Sequence, residues 1–254
     1  LIAKLTDLHD SGCRVLSLQF DDMRGDVPRL AILQAEIIAF VHEHWAGSGL
    51  IVCPTYYSDD PVLAAVFGTP PPNYLEELTS RIPKEIDVFW TGPKVVSDAI
   101  EPDHICAVTA RMGRRPFLWV NDGARTSLHL FLGPPPGKGG LLHGILAGYA
   151  ANPMLQPHLS QIPLRGLAEL SRGMPNRSFD EVFMDALKEC VAPDLVTLFA
   201  AHAKTFAERG RKGLTTREVV SIRADFSRLG HPHCVEVSEW LAGKYAFDPA
   251  CLTD

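Results

Sequence analysis

Asp21 and Asp22 are the first residues whose types and spacing invite a chemical reading. They follow the apolar run Val15 to Phe20 (VLSLQF), where a buried β-strand is expected to end. Adjacent carboxylates raise each other's pKa, because like charges a few ångströms apart oppose one another. Neighbouring side chains of an extended strand point to opposite faces. The two groups can therefore serve one site only where the chain leaves extended geometry. Such a pair suits an acid/base division of labour, with one carboxyl ionised and the other holding a proton. Two other readings fit the pair taken alone: a polar turn with Arg24 and Asp26, and ligation of a divalent metal.

The elements that must position the pair recur along the chain. A helix ends near Asp10, before Gly12. Strand-like runs follow at 15–20, 49–54, 86–90, 116–120 and 143–149. Their starts lie about 30 residues apart, as the β-α units of a parallel sheet require. Helical spacing is read over 29–45, with Leu30, Leu33, Ile37, Ile38 and Val41 as the apolar face. It is read again over 71–81, with Tyr74, Leu75 and Leu78, and over a short stretch at 95–100. The strands are continuously apolar, which predicts that both faces are covered. A (β/α)8 barrel and an open doubly wound sheet both fit this α/β pattern. No Gly-rich phosphate loop follows a strand, which weakens the nucleotide-binding version. Polar and aromatic residues collect instead where strands end: Asp21-Asp22, Thr55-Tyr56-Tyr57, Trp90-Thr91-Gly92, Trp119-Val120-Asn121 and Asn152. Function at several strand ends is the habit of the barrel. The expected architecture is a (β/α)8 TIM barrel of which residues 1–172 supply about the last five strands. An α-helical region follows over 173–254, with helices at 179–190, 194–209, 215–229 and 235–245. Thr215-Thr216-Arg217-Glu218 opens one of them as a capping box.

Composition narrows the function classes. The net charge is −6, from 24 basic and 30 acidic residues, and no basic run forms a nucleic-acid surface. Arg111 to Arg115 reads as a solvated loop. Six cysteines (Cys13, Cys53, Cys106, Cys190, Cys234, Cys251) include no C-x-x-C pair, so a reduced compartment, the cytoplasm, is favoured. No apolar run reaches the roughly 18 to 20 residues that cross a bilayer, so no membrane partner is expected. His231-Pro232-His233-Cys234 offers metal-type ligands but reads as a loop between helices with no fourth ligand. His42 and His44 read as a solvated helix face, and no metal or cofactor is expected.

Several short motifs occur together and in order: FDD at 20–22, CPT-x-Y at 53–57, WTGPKVVS at 90–97, W-x-N at 119–121, LFLGP at 130–134 and NPM at 152–154. This set resembles glycoside hydrolase family 84, the protein O-GlcNAcases and related bacterial β-N-acetylglucosaminidases and hyaluronidases. The resemblance covers roughly residues 10 to 170. It implies retaining hydrolysis of terminal β-GlcNAc in which the substrate's 2-acetamido oxygen attacks its own anomeric carbon and forms an oxazoline. On that pattern Asp21 orients and polarises the acetamido group, and Asp22 is the general acid/base. Tyr57 hydrogen-bonds the acetamido group, Trp119 walls its pocket, and Asn121 is a polar contact near the first Asp. Trp90 and Thr91 match residues that line the pocket around the acetamido methyl, and Asn152 matches a sugar-contacting Asn. The implied partner is a GlcNAc-bearing glycan or glycoprotein.

Three departures stand against the pattern. Tyr56 occupies the place of the family's Glu in the CPT motif. The family Asp that binds the outer hydroxyls has no clear counterpart, although Asp122 is near. The family's opening strands, with a Gly-rich motif and a sugar-binding Lys, have no match here. The missing N-terminal half of the barrel, in the same protein or a companion fragment, is therefore an expected partner. The alternatives are a non-catalytic GlcNAc-binding module of the same fold and a divalent-metal hydrolase.

Overall fold

The computed structural model describes residues 1–121, 128–134, 142–173 and 177–246. Asp122 and Cys251 lie outside them. The chain forms two compact units, residues 1–119 with 144–150 and residues 120–143 with 151–254.

The first unit opens with α1 (Ile2–Asp10), followed by β1 (Val15–Gln19), α2 (Leu30–His44) and β2 (Gly49–Cys53). Then come α3 (Pro61–Phe67), α4 (Tyr74–Arg81), β3 (Asp87–Trp90), α5 (Pro102–Met112), β4 (Phe117–Val120) and β5 (Gly148–Ala151). The last residues of β4 and β5 pass into the second unit. The strands lie in the order β1-β2-β3-β4-β5, with parallel registers from Val15↔Gly49 to Trp90↔Leu118. Five parallel strands with helices make half of a (β/α)8 barrel, as the pattern predicts.

Four details differ from expectation. The fifth strand is not 143–149: Gly144 turns the chain with φ of 81°, and the ladder runs from Ala147 N–H on Pro116 O to Asn152 N–H on Val120 O. Residues 95–100 form turns rather than a helix. There the Asp60 carboxylate takes the Val95 N–H, and the Ser97 hydroxyl takes the Lys94 N–H. Side chains that bond the local backbone compete with helix formation. β1 is not a strand covered on both faces, since Val15, Ser17 and Gln19 are exposed. Among the described residues it pairs only with β2. Finally, α2 buries Leu30, Ala31, Gln34, Ala35, Ile38 and Val41, while Leu33 and Ile37 stand exposed. Two alanines allow a close approach, and Gln34 is drawn inward by hydrogen bonds.

Two helices escape the periodicity reading. α3 starts on Asp60, whose carboxylate accepts from Val62 N, and stops at Gly68 with φ of 92°. α5 starts at Pro102 and stops at Gly113 with φ of 62°. Proline at the start and glycine past the end are the usual punctuation of a helix.

Arg111 to Arg115 is not a solvated loop. Arg111 closes α5 and pairs with Asp59 and Glu76. Arg114 reaches under α4 and donates to the carbonyls of Thr79, Ile82, Pro83 and Ile86 at 2.7–3.0 Å. The last carbonyls of a helix have no partner within it, and a guanidinium satisfies several at once.

The second unit contains α6 (Pro157–Ser171), α7 (Phe179–Cys190), a 3-10 turn (Pro193–Leu195), α8 (Val196–Glu208), α9 (Thr216–Ser227) and α10 (Pro232–Leu241). Its core gathers Phe199, Phe206, Phe226 and Trp240. The capping box at Thr215 forms as predicted, and a second one forms at Ser178. His231-Pro232-His233-Cys234 is not a loop but the start of α10, with His233 and Cys234 buried. Burial, then the neighbouring His231 and His158, push His233 down to about 4, so its ring stays neutral near pH 7. No helix among the described residues is long and apolar enough to cross a membrane.

The Arg114 cap gives a stability test. Arg114→Met should lower unfolding free energy by about 2–4 kcal/mol, since four charged hydrogen bonds to part-buried carbonyls are lost. Arg115→Met loses one exposed bond to Gly144 O and should change it by less than about 1 kcal/mol. Urea titration of the full-length gene product measures both.

Candidate active site

β1 releases the chain at Phe20, whose N–H donates to Cys53 O at 2.9 Å. Asp21 comes next, half-buried, and Asp22 takes φ of 53°. A left-handed backbone is uncommon for a residue with a Cβ, and it breaks the alternation that would send consecutive side chains to opposite faces. Burial first, and then the Asp22 charge, hold the Asp21 carboxyl above its usual range, against a lowering bond from its own backbone.

The loop after the pair is fixed from outside. Gly25 N–H donates to Phe67 O at 2.8 Å. A Cβ on Gly25 would stand 2.1 Å from the Tyr56 hydroxyl oxygen, so only glycine fits there. Tyr56 itself is buried, donates to Gly68 O and meets Tyr74 edge-on at 5.3 Å. The residue that departs from the family pattern is thus a packing residue that holds the loop of the Asp pair.

Behind the pair lies a closed polar ring. Thr55 Oγ1 donates to Phe20 O at 2.7 Å, and Gln34 Nε2 donates to Thr55 Oγ1 at 2.8 Å. The Tyr74 hydroxyl donates to Gln34 Oε1 and accepts from Thr55 N at 3.0 Å. Gln34, Thr55 and Tyr74 are all buried.

Tyr57 follows two residues after Thr55, and its side chain is buried. Burial raises the pKa of its hydroxyl, followed by the charges of Asp22, Cys53, Asp21 and Asp60 in that order. The phenol therefore lies within electrostatic reach of both carboxylates. Its ring stands 6.1 Å from that of Trp119, which in turn lies 5.4 Å from Phe89.

The third strand end divides its residues. Thr91 N–H donates to Tyr57 O at 2.9 Å, and Thr91 Oγ1 donates to Lys94 O at 2.9 Å. Thr91 thereby ties the WTGPKVVS loop to the segment that carries Tyr57. Gly92 has φ of 105°, and a Cβ there would lie 2.6 Å from Ser97 Oγ. Trp90 is not brought to this group. Its indole N–H donates to His104 of α5 at 3.0 Å, and it edges a separate cavity of about 400 Å³ with Tyr56, Asp60, Tyr74 and Arg111. Adjacent strand residues face opposite ways, so Phe89 and Trp90 cannot both join Trp119.

Asn121 and Asn152 belong to the second unit. There Asn152 Nδ2 donates to Asn121 Oδ1 at 2.9 Å. The LFLGP motif in that unit is structural: Leu130 and Leu132 are fully buried in the helical core. Gly133 leaves room for Phe179, whose ring a Cβ would meet at 2.8 Å.

Spacing alone missed Gln34, and it read Tyr74 merely as part of an apolar face. A signal existed for the first. Gln34 falls between Leu30 and Ile38 on the buried stripe of its helix, and a buried amide needs partners.

A carboxylate pair and a tyrosine at the ends of neighbouring parallel strands match the arrangement that the resemblance to glycoside hydrolase family 84 implies. The family described as NAGidase, beta-N-acetylglucosaminidase, matches residues 1–207, and this chain belongs to it. The resemblance to glycoside hydrolase family 84 is thereby confirmed. Protein O-GlcNAcase of Rattus norvegicus is 28% identical over 192 residues, 71% of this chain and 21% of that protein. Its Mus musculus counterpart matches to the same extent. Among solved structures, an O-GlcNAc hydrolase mutant of Thermobaculum terrenum is 25% identical with a TM-score of 0.74, covering 96% of this chain and 61% of that one. The chain thus spans about a fifth of the length of the curated relatives it matches.

The raised Asp21 pKa carries a stability prediction. Burial penalises the charged form, so Asp21 weakens the folded state once ionised, and the penalty fades as pH falls through its folded pKa. Asp21→Asn should therefore raise the urea midpoint at pH 7. The difference from wild type should vanish below the ordinary value of 3.8. An unchanged or lower midpoint at pH 7 would contradict the burial of this charge.

Proposed function

We propose that this chain is the C-terminal portion, over residues 1–172, of a catalytic barrel that removes terminal β-linked GlcNAc with retention of configuration. Residues 173–254 follow as its helical region. The observation that carries the reading is the placement of Asp21 and Asp22 just past β1 and of Tyr57 just past β2, the strand paired with it. Family membership and the O-GlcNAcase names of the relatives support it.

In this mechanism the acetamido carbonyl oxygen of the sugar attacks its own anomeric carbon from the face opposite the leaving group. Asp22 protonates the glycosidic oxygen as that bond breaks. Asp21 accepts a hydrogen bond from the acetamido N–H and supports the positive charge that develops there. Water then opens the oxazoline at the anomeric carbon after giving a proton to Asp22, and two inversions give net retention. In the free site burial favours a protonated Asp21, but an N–H donor aimed at the carboxyl favours its charged form. The bound acetamide acts as an intramolecular nucleophile, so no separate Ser, Cys or Glu is required.

Tyr57 and Trp119 are assigned to the acetamido pocket, and Asn121 and Asn152 to sugar contacts. Thr91 acts through the Tyr57 carbonyl. The substrate is a GlcNAc-bearing glycan or glycoprotein. The half-barrel with β1 at its edge supports an N-terminal half as partner, in the same protein or a companion fragment.

The full-length gene product is expected to hydrolyse an aryl β-GlcNAc and release β-GlcNAc first, as read by NMR. Asp22→Asn should lose roughly 10²–10⁴-fold in kcat/KM, the usual share of a general acid/base. A dinitrophenyl leaving group, which needs no protonation, should recover much of the first step. Full activity of Asp22→Asn on an unactivated glycoside would sink the assignment. Binding of oxazoline mimics without any turnover by the wild type would favour the glycan-binding alternative.

A further inference from the structure

We propose that Gln34, Thr55 and Tyr74 are positioning residues, which set Asp21 and Tyr57 in register through the carbonyl of Phe20. The inference rests on the catalytic reading of the Asp pair given above. Three elements contribute to the ring: α2 gives Gln34, α4 gives Tyr74, and the end of β2 gives Thr55.

The ring allows one arrangement of protons. Thr55 Oγ1 has a single proton, and the Phe20 carbonyl can be satisfied at 2.7 Å only by receiving it. Thr55 Oγ1 must then accept from Gln34, which fixes the amide with Nε2 toward Thr55 and Oε1 toward Tyr74. Tyr74 must give its proton to Oε1, leaving a lone pair for the Thr55 N–H. Rotating the Gln34 amide would set its oxygen against Thr55 Oγ1 and strip the Phe20 carbonyl of its donor. A buried polar ring of this kind adds little stability over an apolar filling of the same volume, but it is directional.

That directionality falls where function is attached. Both backbone groups of Phe20 are held, its N–H by Cys53 O and its C=O by Thr55, and Asp21 is the next residue. Thr55 is held at its own N–H and hydroxyl, and Tyr57 stands two residues on. One ring therefore sets the separation between the carboxylate pair and the phenol. The left-handed turn at Asp22 follows immediately.

The test uses Tyr74→Phe, Thr55→Val and Thr55→Ser in the full-length gene product, assayed on 4-nitrophenyl β-GlcNAc well below the melting temperature. Tyr74→Phe and Thr55→Val should each lose roughly 10- to 100-fold in kcat, the scale of an ångström-level misplacement. Both should also move the acidic limb of the kcat/KM profile, because a relaxed Phe20–Asp21 segment changes the solvation of Asp21. A merely structural role would lower the profile without moving that limb. Thr55→Ser keeps the hydroxyl and should stay within about threefold of wild type with its limb unmoved. If Thr55→Val does not fold, Tyr74→Phe, which deletes one hydroxyl, decides. A folded Tyr74→Phe with kcat within threefold and an unmoved limb overturns the proposal. Asp22→Asn serves as the control: if it retains full activity, the catalytic reading fails first. If it is inactive while Tyr74→Phe is unaffected, the positioning role alone fails.

Discussion

The hydrogen bond from Thr55 to the Phe20 carbonyl is the joint on which the first unit depends. It closes the gap between two strands at the level where their ladder has ended. Gln34 and Tyr74 complete it from the helices, so the helical layer and the sheet share one set of polar contacts. Inside a low-dielectric core such bonds are strong when complete and expensive when broken. The tie continues outward from β2 to β3, where Thr91 takes the Tyr57 carbonyl and Ser97 gathers the loop beyond it. Three consecutive strand ends are thereby linked, the first two through the Thr55 hydroxyl and the second and third through the Thr91 backbone N–H.

Around that joint the structure accepts local costs. Asp22 sits in the left-handed region, and Asp21 is a half-buried carboxylate beside a like charge. Strain of this kind persists only where the surroundings over-determine it. Here the surroundings are the polar ring behind, Tyr56 and Gly25 at the side, and a core in which Ile38, Val52, Leu78 and Val88 have no exposed surface. Tyr56 shows how a departure from a family pattern can be absorbed. Its side chain faces Tyr74 and Gly68, so the exchange at this position alters the support of the loop.

The motifs that marked the family serve two different physical ends. Asp21, Asp22 and Tyr57 present ionisable groups. Much of WTGPKVVS and all of the buried part of LFLGP do something else: they make turns and fill cores. Gly92 permits a backbone that any Cβ would obstruct, and Leu130 and Leu132 anchor a segment in the helical unit. Trp90 belongs to the second group as well, because strand alternation turns it toward α5.

The sequence by itself determined the class of fold, the first four strands, the Thr215 capping box and the strand end that carries the Asp pair. These rest on local rules, namely apolar runs, cap residues and residue types at strand ends, which act over a few positions. Pro102 with Gly113, and Asp60 with Gly68, are equally local signals of α5 and α3. Only the tertiary structure decided that Leu33 and Ile37 face out, that Arg114 caps α4, and that Gln34 completes a ring with Tyr74 and Thr55. Those outcomes depend on partners some 20 to 40 residues away, such as Gln34 with Thr55 and with Tyr74. A polar side chain on an apolar stripe announces that it needs a partner, but which one it meets is settled only when the helices pack.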